Sequence, residues 1–145
     1  MKYKIIFLDV DGTLYSHSTK SVPESTIRAL KEAQSKGIKI CIASGRSRLV
    51  TSFTGILDVL DFDYYVVTNG NLVIDRDNNV IYSSPMDKEG IKEVLSLVDK
   101  YELNATFMTL DDFYIKAPVY NPREHPLRSY MPSHRICRNH EAAQR

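Results

Sequence analysis

A doubly wound α/β sheet followed by a smaller α+β region is the fold this chain predicts, on three observations. Short apolar runs alternate with helical periods over the first 83 residues. The pattern then turns hairpin-like, and each of the first three apolar runs ends in a compact polar motif. Strand–helix–strand–helix–strand implies right-handed crossovers and a parallel sheet.

The elements follow in chain order. Lys4–Val10 is a nearly continuous apolar run, as expected of a parallel strand covered on both faces. Pro23 stands where a helix can begin, Ile27, Leu30 and Ala33 give it one apolar side, and Gly37 is a natural stop. Ile38–Ala43 is the second strand. Val50, Phe53, Leu57 and Leu60 recur at helical spacing, which predicts one helix over 47–60. Tyr64–Thr68 is the third strand. Leu72–Asp75 and Val80–Tyr82 flank "RDNN" and predict a hairpin. Ile91, Val94, Leu95 and Val98 mark an amphipathic helix over 87–101, and Thr106–Leu110 and Phe113–Lys116 read as two strands around Asp111-Asp112. The expected organisation is a core over 1–83, a partial α+β unit over 84–120 and an irregular basic tail over 121–145.

Composition narrows the class. At 145 residues, 43% hydrophobic and 26% charged, the chain is long enough for one ordinary domain and too apolar for disorder. Ile5–Leu8 is too short for a signal core or a membrane span, and no membrane partner is expected. Cys41 and Cys137 make neither a disulfide framework nor a metal set, which points to a reduced cytoplasm. A net charge of +1 gives no reason to expect nucleic acid. The charge is uneven: residues 1–116 carry a net −2, and 117–145 a net +3 with five Arg and no Lys. Four of the six prolines also fall in that tail, which shows no helical or strand period after Tyr120.

The chemistry begins with "KIIFLDVDGTLYS". Ligands of open α/β sheets bind beyond the carboxyl ends of the strands. Asp9 and Asp11 stand at such an end, on one side of the chain by strand parity, with Val10 on the other. Two close carboxylates repel, and a divalent cation removes the conflict. Mg²⁺ suits the pair, because it uses one or two carboxylates and fills its shell with water and phosphate. Gly12 lets the backbone turn sharply there. A plain Asp-Gly turn with a solvated neighbour is the competing reading. "IASGRS" ends the second strand, and Ser44, Gly45, Arg46 and the following helix N-terminus suit an anion. Its competitor is a Ser44 helix cap beside a surface Arg. "TNG" ends the third strand, and Asn69-Gly70 is equally a hairpin signal. The coincidence of three such motifs on one sheet edge favours a ligand site.

"FLDVDGTL" resembles the first motif of the haloacid dehalogenase-like (HAD) phosphatase superfamily, and "DVDGTL … VPESTIRAL … KGIKICIASGR … VVTNGN" resembles its Cof-type branch of sugar-phosphatase-like members with a type 2 cap. The match runs through about residues 4–83 and more weakly through 84–120. The resemblance implies an incomplete Rossmannoid core and a partial type 2 cap. Tyr15–Val22 is too short to hold a cap, so the cap must follow the third strand. It also implies a Mg²⁺-dependent phosphatase acting on small phosphorylated metabolites such as sugar phosphates. Asp9 would be the nucleophile that forms an aspartyl-phosphate, and Asp11 the general acid and base. Asp9 and Asp11 would hold the Mg²⁺, Asp11 through its backbone carbonyl. Ser44, where the family commonly has Thr, would bond the phosphoryl group, with Gly45, Arg46 and Asn69 close to it.

Two parts of the family pattern are missing: a Lys that neutralises nucleophile and phosphate, and an acidic loop that completes the metal site. Both normally follow the cap, and this chain stops first. Asp111-Asp112 and Lys116 are the available substitutes, against a polar cap turn and a solvated Lys. The alternative to a phosphatase is therefore a truncated, inactive relative that serves as a binding module. A receiver domain fits poorly, since Thr68-Asn69-Gly70 offers no Asp to phosphorylate. The family's later strands are also missing, so Lys4–Val10 is expected at a sheet edge, open to a second copy of the chain.

Overall fold

The computed structural model describes residues 3–110, 112–116 and 135–136. The chain divides into two compact units, Met1–Ser84 and Pro85–Arg145. The first holds a five-stranded sheet in the order β1 (Ile5–Leu8), β2 (Lys39–Ala43), β3 (Tyr64–Val67), β4 (Leu72–Asp75) and β5 (Val80–Ser83). The second holds a three-stranded sheet of β6 (Ala105–Met108), β7 (Phe113–Lys116) and β8 (Arg135–Ile136). Among the described residues no helix is long and apolar enough to cross a membrane.

The sheet of the first unit is mixed rather than wholly parallel. β1–β2 and β2–β3 are parallel, with Ile6 opposite Ile40 and Cys41 opposite Tyr64. β4 and β5 return antiparallel, because β3 and β4 are joined by the short 3₁₀ turn Thr68–Gly70 instead of a crossover helix. Thr68, Asn69 and Gly70 all have positive φ, at 50°, 56° and 87°. Asn and Gly tolerate that region best, so the Asn-Gly signal is real.

Helix α1 (Glu24–Ser35) starts after Pro23 as its period predicts. Its Leu30 joins Val10, Leu14, Ile40, Ile42, Phe62 and Ile74 in the core, with Ile27 and Ala33 packed against them. The expected helix over 47–60 is two short ones, α2 (Arg48–Ser52) and α3 (Ile56–Val59). Gly55, at φ 72°, breaks the run. The Ser52 and Thr54 hydroxyls donate to the Leu49 and Thr51 carbonyls and compete with helix continuation.

β1 corrects a second expectation. It lies at the sheet edge as foreseen, but it is not covered on both faces: Ile5 and Phe7 are exposed. In the second unit, α4 (Lys88–Lys100) buries Leu95 and Val98 and is capped by Asp87, whose side chain accepts from the Gly90 amide at 2.7 Å. The tail also departs from the expected irregularity. Arg135–Ile136 forms a two-residue strand parallel to β7, too short to show alternation in sequence. The rest of the tail lies outside the described residues.

Candidate active site

The chain leaves β1 at Leu8 and folds back at once. Leu14 N–H donates to the Val10 carbonyl at 3.1 Å, Tyr15 N–H to the same carbonyl at 2.8 Å, and Gly12 N–H to the Tyr15 carbonyl at 3.0 Å. Gly12, at φ 77°, makes this turn without strain. Val10 is fully buried, while Asp9 and Asp11 on either side of it are exposed in the turn that follows β1. Thr13 Oγ1 lies 3.5 Å from Asp9 Oδ2.

Arg46 closes on Asp11 from the end of β2. Its Nε donates to Asp11 Oδ2 at 2.7 Å and its Nη2 to Asp11 Oδ1 at 2.6 Å, the bidentate fork that guanidinium and carboxylate favour. The Arg46 side chain is only 9% exposed, so it is no surface Arg. His17 Nε2 lies 3.0 Å from the same Asp11 Oδ1, and its ring meets Tyr15 edge-on. The Arg46 hydrogen bonds hold the Asp11 carboxyl below its usual range; partial burial works against this, and the charges of Arg46 and His17 add to it.

The ends of β2 and β3 meet as closely. Asn69 N–H donates to the Ser44 carbonyl at 3.4 Å and Thr68 N–H to the Arg46 carbonyl at 3.0 Å. A Cβ at Gly45 would lie 2.8 Å from Asn69 Oδ1, so glycine is what lets the Asn69 side chain sit there. Ser44 is buried, and its Oγ accepts the Arg46 amide at 3.2 Å. The helix cap is Ser47, not Ser44: its side chain accepts the Val50 amide at 3.2 Å. Asp11, Ser44, Gly45, Arg46 and Asn69 are thus tied into one cluster on the carboxyl edge of the sheet, with Asp9 at the end of β1.

His17 is the residue that sequence reasoning missed. It sits in the turn closed by Ser16 N–H to the Ser21 carbonyl at 3.0 Å, and a loop of this kind carries no periodic signal. The substitutes named for the missing motifs lie in the second unit. Asp111 is outside the described residues. Asp112 belongs to a polar turn, its carbonyl accepting from the Thr109 amide and hydroxyl. Lys116 is not solvated: it pairs with Asp99 at 2.8 Å and is 12% exposed. Among the described residues no three His, Cys, Asp or Glu side chains group as a metal site.

Comparison with known proteins shows which chains this one is similar to. YkrA of Bacillus subtilis is 36% identical over 126 residues, which is 87% of this chain and 46% of YkrA. Phosphatase YwpJ of the same organism is 28% identical over 97 residues, covering 66% of this chain and 33% of YwpJ. The HAD subclass IIB sugar phosphatase BT4131 overlays with a TM-score of 0.81 at 28% identity, over 98% of this chain and 55% of its own. BT1666 of Bacteroides thetaiotaomicron, described among HAD phosphatases, gives 0.76 at 25% identity over 93% and 49%. The chain spans about half the length of these structures and less than half of the two Bacillus proteins. A family model described as haloacid dehalogenase-like hydrolase matches residues 6–144, and the chain belongs to that family.

Proposed function

We propose that this chain carries the nucleophile half of a Mg²⁺-dependent phosphoric monoester hydrolase that acts on small phosphorylated metabolites, sugar phosphates among them. One observation carries the reading: a pair of carboxylates, an Arg, a buried Ser and an Asn converge where three strands end. The sugar-phosphate class rests on likeness to BT4131. The free, buried Cys41 supports a reducing compartment, the cytoplasm.

Asp9 attacks phosphorus, and its carboxylate oxygen takes the phosphoryl group as the leaving alkoxide departs. Asp11 gives that alkoxide a proton and later takes one from the attacking water. Its pairing with Arg46 favours the ionised form, the one that accepts a proton. Ser44 and Asn69 would bond phosphoryl oxygens, with Gly45 and Arg46 close to them. The donors suit Mg²⁺, which takes hard oxygen ligands and few carboxylates; the Asp9 carboxylate and the Asp11 backbone carbonyl would hold it. When bound it offsets the repulsion between Asp9 and the phosphate.

Hydrolysis of p-nitrophenyl phosphate with and without Mg²⁺ tests the reading. Asp9→Asn should abolish Mg²⁺-dependent turnover, because an amide cannot form the acyl phosphate. Near-normal turnover in Asp9→Asn, or none by the unaltered chain, overturns it.

A further inference from the structure

Asp11 accepts at three places. Arg46 Nε donates to Oδ2 at 2.7 Å, Arg46 Nη2 donates to Oδ1 at 2.6 Å, and His17 Nε2 stands 3.0 Å from that same Oδ1. An ionised carboxylate only accepts, so Nε2 is the ring nitrogen that donates. Each carboxylate oxygen has two acceptor sites. On Oδ1 both are taken, and on Oδ2 one is.

The backbone brings His17 to this place. Tyr15 N–H donates to the Val10 carbonyl and Gly12 N–H to the Tyr15 carbonyl, which sets Tyr15 beside Asp11. Ser16 N–H to the Ser21 carbonyl closes a loop over 16–21. Inside it Ser16 Oγ lies 2.9 Å from Ser18 Oγ and accepts the Thr19 amide at 3.4 Å. The Tyr15 ring meets the imidazole edge-on, 5.6 Å between centroids and at 84°. The His17 side chain is 51% exposed and that of Asp11 38%, so the pair adds little to stability. Its effect is on which oxygen of Asp11 stays open.

We propose that His17 is a positioning residue: with Arg46 it fills Oδ1 of Asp11 and leaves Oδ2 as the oxygen that exchanges the proton. In the first step the proton on Oδ2 passes to the ester oxygen, as that oxygen's bond to phosphorus breaks and an Asp9 oxygen bonds phosphorus. In the second, Oδ2 takes a proton from the water whose oxygen bonds phosphorus as the Asp9 oxygen leaves it. This chemical role rests on the phosphatase reading above. The donation from Nε2 does not, and spectra of the chain alone test it.

In the full chain, nitrogen-15 spectra should show the His17 ring hydrogen on Nε2 and a correlation through the hydrogen bond to the Asp11 carboxyl carbon. His17→Phe keeps a ring beside Tyr15 without an N–H, and should shift that carbon. His17→Gln supplies an amide N–H in place of Nε2 and should return it most of the way. Ser18→Ala, in the same loop, should leave it in place. Turnover with Mg²⁺ separates positioning from a general loosening. His17→Phe should lower kcat/KM for glycerol 2-phosphate roughly tenfold, because an alkoxide needs the proton to leave. For p-nitrophenyl phosphate the loss should stay under about threefold, since nitrophenolate leaves without one. Circular dichroism checks folding, and His17→Leu replaces His17→Phe if the latter unfolds. A ring hydrogen on Nδ1 alone overturns the proposal, as does an Asp11 carbon indifferent to His17→Phe. Equal losses on the two esters, or no recovery in His17→Gln, also overturn it. The Nε2 contact without any turnover overturns the phosphatase reading and the role of His17 in it; turnover without the contact overturns this proposal alone.

Discussion

Arg46 is the residue on which the cluster turns. Its fork to Asp11 joins the end of β1 to the end of β2, and its carbonyl receives Thr68 from the end of β3. Arg46→Ala should raise the Asp11 carboxyl toward its ordinary value, because the strongest group holding it down is gone and His17 remains. Carbon-13 titration of the Asp11 carboxyl checks this, and an unchanged titration would show that Arg46 does not govern its charge. The exposure of Asp9 and Asp11 around a buried Val10 agrees with their spacing in the sequence. The Arg46–Asp11 pair was not legible there, because 35 residues separate them and only the sheet brings them together.

At the scale of elements, Asp63 staples three strands. Its carboxylate accepts from Lys39 Nζ at 2.8 Å, from the Ile40 amide at 3.0 Å and from Arg76 at 3.2 Å, so β2 and β4 are held to the start of β3. Burial pushes the Asp63 carboxyl up, but Lys39, the Ile40 amide and Arg76 together bring it below its usual value. A carboxyl lowered in the folded state adds stability that is present above its unfolded value and fades as pH falls through the folded one. Asp63→Asn should therefore cost about 2 kcal/mol at pH 7. The gap from the unaltered chain should narrow below the ordinary carboxylate value of 3.8. Urea unfolding from pH 7 to 3 checks this; a gap independent of pH would contradict it. Gly55 presents a different case. A Cβ there has room, 3.7 Å from Asp58 Oδ2, but φ is 72°. Gly55→Ala should cost about 1–2 kcal/mol through left-handed strain alone, measurable by chemical denaturation.

For the whole molecule the question is how much of a metal site this chain holds. Both oxygens of Asp11 already accept from Arg46, and His17 adds to one. Asp9 is then the main carboxylate left to bind a cation. Affinity for Mg²⁺ should be weak, roughly millimolar, since few charged ligands make a loose site. Calorimetric titration checks it, and micromolar binding would require a further ligand.

The sequence by itself determined the alternation of strands and helices, the buried Val10 between two outward carboxylates, and the meeting of three polar motifs on one sheet edge. Each follows from local periodicity, because a period of 2 or 3.6 fixes which residues face the core. The break at Gly55 and the two-residue strand at Arg135 escaped it, since one glycine or two residues hold too few positions to establish a period. Only the tertiary structure decided that Arg46 and His17 converge on Asp11 and that Ile5 and Phe7 stand open at an edge. Those facts depend on which strands lie side by side, and an apolar run reads the same in sequence whether its outer face is covered or bare.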